Sequence, residues 1–436
     1  MTILLLLFTI LAVGAVSGVV NLQQPPLDGL YSTQMAMSII ARQQGILNDI
    51  NIPGLALQAG IVQKALSAWT VQYGDHELIH NHICNSTASA ARYMTSTIND
   101  LKQWPLDRFS SGNAMFGSEG PGYDLALDAL RDSVRLNMRN KENGLWYWSS
   151  YPEWSYLDGM YSFGPFAALD ALLTVPGDTN TPSSDAVMEE DGENNNNDSN
   201  NSNNKIDPDM AALQDMHLQF SLLWSHCYNS TSGLLVHGYD ESRKASWASG
   251  KMGASGIVWG RSLGWFMMGL VDTLEILDTA PARGGATAAA EPLLNMYQTL
   301  AAAVMRYADR FSGGWYQVVD QPGRRGNYVE SSATAMFSYA LLKGARKGYL
   351  AAGHVHPAQV AGRAAHDLLA REFVTREANG TLSWNGTVAV CSLNSTATYD
   401  YYIEQPLAYN SVLGAAAFVM SSLEVESLDK SQNTPQ

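Results

Sequence analysis

Three Trp and four Tyr fall within eighteen residues, Gly144-Leu145-Trp146-Tyr147-Trp148-Ser149-Ser150-Tyr151-Pro152-Glu153-Trp154-Ser155-Tyr156-Leu157-Asp158-Gly159-Met160-Tyr161. A helical core cannot absorb so many amphipathic rings from one loop. Rings with an apolar body and a polar tip are what sugar faces stack against. Asp158 stands where this loop runs into the next helical stretch, and an Asp there has two uses. It caps the helix by accepting backbone N–H bonds, or it is aimed into the aromatic-walled pocket for general acid work. Desolvation in such a pocket favours a protonated carboxyl, whereas a helix N-terminus favours the ionised form.

A second cluster, Gly233-Leu234-Leu235-Val236-His237-Gly238-Tyr239-Asp240, sets an imidazole, a phenol and a carboxylate close along the chain. His237 is either a ligand-facing group or a structural loop residue. The third, Trp259-Gly260-Arg261-Ser262-Leu263-Gly264-Trp265, opens a helix. The planar fork of Arg261 matches the two oxygens of a uronate carboxylate, or equally an acidic neighbour. Trp265, one helical turn on, shares its face, as sugar platform or as core.

The elements that must position these groups are helical. Apolar residues recur at helical spacing around 35–40, 57–73, 88–103, 124–130, 157–173, 209–226, 259–278, 288–311, 329–350, 355–372 and 404–424, which predicts about eleven helices. Strand signals are confined to short pieces such as Gly314-Trp315-Tyr316-Gln317-Val318-Val319. Helices of this number joined by aromatic and Gly/Asn-rich loops predict an all-α fold, a closed toroid of six hairpins, the (α/α) barrel. One catalytic domain is expected over 25–425. The acidic and Asn-rich stretch 176–207 reads as a disordered insertion, and 426–436 as a flexible tail.

Composition narrows the partners. With 26 Lys+Arg against 41 Asp+Glu the formal charge is −15, which disfavours nucleic acid and anionic membranes. An apolar run from Ile3 to Val13 followed by Ala15-Val16-Ser17 predicts a signal peptide over 1–17 and a secreted protein without a membrane span once it is removed. No Lys or Arg precedes the run, so an uncleaved anchor is the alternative. Seven Asn-x-Ser/Thr sequons, beginning at Asn85, Asn197, Asn200, Asn229, Asn379, Asn385 and Asn394, suit a glycoprotein. Cys84, Cys227 and Cys391 suggest one bridge and one free thiol. No spacing for a metal, nucleotide or covalent cofactor is present, and none is expected.

The segments Tyr156-Leu157-Asp158-Gly159-Met160-Tyr161, His237-Gly238-Tyr239-Asp240-Glu241, Trp259 to Trp265, Gly314 to Asp320 and Asn327-Tyr328-Val329-Glu330-Ser331-Ser332 resemble, in the same order, the unsaturated rhamnogalacturonyl hydrolase family of glycoside hydrolases. The similarity runs from about Tyr31 to Glu424, and the family is built as a six-hairpin α/α barrel. The resemblance implies that Asp158 is the catalytic acid/base in hydration of a C4=C5 double bond on a terminal unsaturated galacturonic acid. The partner it implies is an oligosaccharide with an unsaturated uronic acid end. It further implies that His237, Arg261, Trp265, Trp148, Tyr151, Tyr156 and Gln58 hold the substrate. Tyr156 and Leu263 stand where the family commonly has Trp and Asn. Many members carry a second sugar-binding Asp, expected here near Phe116-Gly117-Ser118-Glu119-Gly120, where Glu119 is the available substitute.

Overall fold

The structure is a computed structural model that describes residues 27–48, 54–97, 99–151, 153–173, 208–279 and 286–433. The segments 1–17 and 176–207 discussed above lie outside the described residues. Thirteen α-helices are described: α1 (Tyr31–Ala41), α2 (Leu55–Tyr73), α3 (Glu77–Ser96), α4 (Phe109–Gly112), α5 (Pro121–Leu136), α6 (Gly159–Leu173), α7 (Pro208–Cys227), α8 (Gly260–Asp278), α9 (Ala286–Arg306), α10 (Ser331–Lys347), α11 (Ala352–Glu372), α12 (Tyr399–Ile403) and α13 (Val412–Asn433). Four two-stranded antiparallel pieces decorate the loops: β1 (Trp154–Tyr156) with β4 (Gly238–Asp240), β2 (Tyr228–Asn229) with β3 (Leu234–Leu235), β5 (Val374–Arg376) with β6 (Leu382–Trp384), and β7 (Thr387–Val388) with β8 (Leu407–Ala408).

The helices pair into six hairpins whose second members form a closed inner ring. Neighbour packs on neighbour in the order α2, α4, α6, α8, α10, α13, and α13 returns to α2. Sequence dictates which helix is a stave and which is cladding. Nearly every side chain of α6, α8 and α10 is buried, as a helix packed on all sides requires. The outer helix α5 keeps a wet face with Asp128, Arg131, Asp132 and Arg135 and buries only Ala126, Leu127, Ala129, Leu130 and Ser133. Small residues set the spacing of the staves. A Cβ on Gly269 of α8 would meet the Met160 carbonyl of α6 at 2.6 Å, so only glycine allows that approach.

Three expectations are corrected. The helix expected over 88–103 runs from Glu77 to Ser96. Its first half, Glu77-Leu78-Ile79-His80-Asn81-His82, is too polar to display the period. The expected tail at 426–436 is helical as far as Asn433, because its polar residues have partners. Glu426 accepts from Ser32 Oγ and from the Tyr73 hydroxyl at 2.7 Å, and Asp429 pairs with Arg363. The three cysteines are all free, Cys84 exposed on α3, Cys227 buried at the end of α7 and Cys391 buried in the loop before α12. No bridge forms among them.

Candidate active site

Every stave begins at the same end of the ring, and the loops gathered there form a second apolar cluster distinct from the barrel core. It joins Tyr156, Trp247, Ile257, Trp259, Val388, Leu393 and Tyr402, with Tyr147, Tyr151 and Trp154 packed on it. The β1–β4 ladder sets the geometry. Its register pairs Tyr156 with Gly238, and the next residue, Leu157, donates its N–H to the His237 carbonyl at 3.1 Å. Two residues 79 apart in sequence, Asp158 and His237, are thereby laid side by side.

Asp158 immediately precedes α6, the position of a cap, yet its carboxyl is turned away from the helix amides. Oδ2 accepts a short bond from Ser262 Oγ and lies 3.3 Å from His237 Nε2. A true cap is present two staves on for contrast. Glu330 precedes α10 and accepts from the Ala333 N–H at 2.6 Å, from Ser332 Oγ and from the Val388 N–H at 2.9 Å. Glu330 is spent on structure, and Asp158 is free for chemistry. His237 is fully buried, and its Nδ1 meets the Tyr402 hydroxyl at 2.7 Å. Burial holds the Tyr402 phenol well above its ordinary range, so the hydroxyl keeps its proton, and the direction of its bond to Nδ1 follows the tautomer of the ring. Nε2 lies beside Asp158 and makes no hydrogen bond among the described residues.

The second acid of the site is Asp107, which the sequence reading missed. It lies in a single 3-10 turn, Leu106–Arg108, ahead of the four-residue stave α4. The backbone N–H of Leu106 is tied to the Tyr147 carbonyl at 2.9 Å, and the Tyr147 hydroxyl donates to Asp107 Oδ2 at 2.7 Å. Burial pushes the Asp107 carboxyl up to about 7, the Tyr147 bond opposes this, and the nearby charge of Asp158 adds to it. Its other oxygen, Oδ1, is buried without a partner among the described residues. Glu119, the expected substitute, is exposed at the foot of α5. The available signal was Pro105-Leu106-Asp107-Arg108, an acid in a proline turn beside an arginine. The Arg108 guanidinium anchors that turn by bonding Ser133, Trp104, Pro105 and Asn137.

The expected sugar-binding residues divide into two groups. Tyr156 stacks on Tyr147 at 4.5 Å and meets His237 edge-on at 5.1 Å. Tyr151 and Trp148 lie half-buried beyond it, 5.0 Å apart, and Gln58 lies half-buried in the first turn of α2. Arg261 and Trp265 are placed differently. Arg261 is 2% exposed, and its fork binds the carbonyls of Val388 and Ala389, holding a loop instead of standing open for a carboxylate. Trp265 is also 2% exposed and packs on Tyr161 at 4.4 Å within the barrel core. Of the second cluster, Asp240 is consumed by the turn it closes, accepting from Ser242, Lys244 and Ala245. Tyr239 stacks on His226.

Similarity to known proteins agrees with this fold. A family 105 glycoside hydrolase of C. acetobutylicum superposes with a TM-score of 0.72 at 25% identity, over 91% of this chain and 99% of that one. An unsaturated glucuronyl hydrolase of Bacillus sp. GL1, responsible for glycosaminoglycan degradation, shares the fold at a TM-score of 0.60 and 14% identity, over 91% of this chain and 97% of that one. An Agrobacterium fabrum protein is 37% identical over 198 residues, 44% of this chain and 82% of its own length. The model of Glycosyl Hydrolase Family 88 matches residues 202–429, just over half of the sequence. With that match and that relative, the chain belongs to Glycosyl Hydrolase Family 88, a family of glycoside hydrolases on the α/α barrel.

Proposed function

We propose that the protein releases a terminal 4,5-unsaturated uronic acid from lyase-cut oligosaccharides, with the unsaturated galacturonate end of a rhamnogalacturonan fragment as leading substrate. The observation that carries this is Asp158, a carboxyl at the mouth of the ring that does not cap its helix and is backed by Ser262 and His237. In this mechanism Asp158 gives its proton to C4 of the vinyl ether. The cation developing at C5 takes up water, whose proton returns to Asp158. The C5 hemiketal then opens, breaking the bond to the ring oxygen, and the hemiacetal left at C1 expels the aglycone as an alcohol. One carboxyl serves as acid and then as base, so the paired carboxylates of ordinary acetal hydrolysis are not needed.

The rest of the site suits an anionic sugar. Asp107 is neutral below about pH 7 and so sets no charge of its own beside an anionic sugar. The positive dipole ends of α6 and α8 favour an anion, and Arg261 contributes its charge from behind the loop it holds. Exposure of the sequon residues Asn379 and Asn394 supports secretion as a glycoprotein.

The test uses protein collected from the medium of a eukaryotic host, where glycosidase treatment is expected to raise its gel mobility. Given the unsaturated rhamnogalacturonan disaccharide, it is expected to abolish the ultraviolet absorbance of the double bond. Asp158→Asn is expected to slow that loss by about 10²–10⁴-fold. If the wild type leaves both this substrate and unsaturated glucuronides intact, the chain is a carbohydrate-binding relic of the fold and the proposal is wrong.

A further inference from the structure

Beyond the pocket of Asp158 the aromatic rings continue outward in a row. Tyr156, in contact with His237, stands 6.1 Å from Tyr151 at 13° between planes. Tyr151 stacks on Trp154 at 5.5 Å, and Trp154 meets Trp247 edge-on at 5.3 Å. Tyr151 and Trp154 are half-buried, so part of each ring is open to solvent, and Trp247 is 8% exposed. Nothing in the acid chemistry uses Trp154 or Trp247. Tyr156 and Trp247 belong to the loop cluster at the mouth, and Tyr151 and Trp154 lie at its surface.

Three polar atoms near the row are buried without partners among the described residues. The Trp247 indole N–H is buried with no acceptor among the described residues. Glu153 Oε2 and Glu241 Oε2 are likewise buried with no donor. These two glutamates stand one step beyond the last register pair of the ladder, Trp154 with Asp240, where facing like charges oppose pairing. Glu153 is held there at a φ of 60°, a left-handed conformation that a side chain adopts at a cost. The loop's own cations, Arg243 and Lys244, are exposed, and neither bonds those oxygens. A ligand that completes this set must lay an apolar face on the rings, donate hydroxyls to two carboxylates and accept one N–H. A neutral sugar does all three, and a uronate or sulfated sugar brings charge of the wrong sign.

We infer that Tyr151, Trp154 and Trp247, with Glu153 and Glu241, form an outer subsite for neutral sugars of the aglycone, so that the preferred substrate extends past the disaccharide. The inference rests on the proposed hydrolysis for its kinetic test. That test compares kcat/KM on the unsaturated disaccharide and on a longer unsaturated oligosaccharide ending in neutral sugars. Wild type is expected to favour the longer by on the order of tenfold, and Trp247→Ala is expected to bring that ratio close to one. Trp247→Phe keeps a ring, guards against misfolding, and is expected to retain part of the preference. A wild-type ratio near one, or a ratio that Trp247→Ala leaves unaltered, overturns the subsite. A second measurement needs no turnover: the neutral oligosaccharide without its unsaturated end is titrated while tryptophan fluorescence is followed. Saturation that Trp247→Ala weakens supports the subsite even if hydrolysis fails, and absence of any saturable change in wild type overturns it.

Discussion

Asp107 is the residue whose ionisation governs the site most directly. Its carboxyl holds a proton up to about pH 7, against an ordinary value of 3.8. In the unfolded chain the same group ionises near its ordinary value, so between about pH 4 and 7 the folded state binds the extra proton. Stability from this group is therefore present at low pH and is lost as pH rises towards 7, by up to about 4 kcal/mol. Asp107→Asn removes the linkage. The variant is expected to gain stability over wild type at pH 8 and none at pH 4, as denaturant melts at the two pH values will read. Wild-type activity is expected to decline above about pH 7 as Asp107 ionises beside Asp158, and the weaker activity of Asp107→Asn to lack that decline. An unchanged alkaline limb in the variant would assign it to another group. Asp158 and His237 were legible because each sits in a short motif whose neighbours travel with it. Asp107 was not, because its stave is a four-residue helix too brief to display a period, and expectation moved to the start of the long helix that follows. Arg261 was legible as important but not as buried, since its burial depends on what the loop at 388–403 does; Trp265 was open to both readings, sugar platform and core, and it lies in the barrel core.

That loop is the element on which the mouth depends. It has no regular structure beyond β7 and the short α12, and three fully buried or nearly buried side chains hold it from below. Arg261 binds the carbonyls of Val388 and Ala389. Gln317 donates to the Tyr402 carbonyl at 2.9 Å while accepting from the Trp259 indole at 3.1 Å. Glu330 accepts the Val388 N–H. Two of these come from the first turn of a stave or its cap, so helix starts and loop are fixed together. The consequence is that Tyr402 arrives under His237 in one position. Arg261→Ala strips two charged hydrogen bonds from buried carbonyls, at about 1–3 kcal/mol each. It is expected to raise hydrogen exchange across 388–403 and to lower kcat/KM by tenfold or more on the order of that loss. Unchanged exchange in the loop would return Arg261 to the role of a direct carboxylate clamp. The eleven long helices were legible from periodicity, whereas the loop's path was not, because its anchors lie on distant staves.

At the scale of the whole molecule the lumen is braced by charge. Lys64 of α2 reaches Asp272 of α8 on the opposite side of the ring. Asp272 also receives Lys343 at 2.6 Å and the Tyr339 hydroxyl at 2.7 Å, both from α10. Glu275 adds pairs with Lys343 and Lys347. Burial raises the Asp272 carboxyl, but Lys343 and Lys64 outweigh it and hold it below its ordinary value. Removing one partner leaves buried cations uncompensated, so Asp272→Ala is expected to lose about 3–5 kcal/mol, towards the lower figure because a quarter of the Lys64 side chain is accessible. A denaturant midpoint equal to wild type would mean that the ring closes without this brace.

Closure has a price in time as well as in charge. The bonds from Ser32 to Glu426 join residues 394 apart, and α13 must pack on α1 and α2 before the ring exists. Contacts so distant in sequence put the chain among slow folders by topology. While it emerges from a ribosome, α6, α8 and α10 have no complete set of neighbours, and their apolar surfaces stand open. The mouth that needs Tyr402 beneath His237 is then among the last things the molecule acquires, so a chain released early would carry most of a barrel and none of its chemistry.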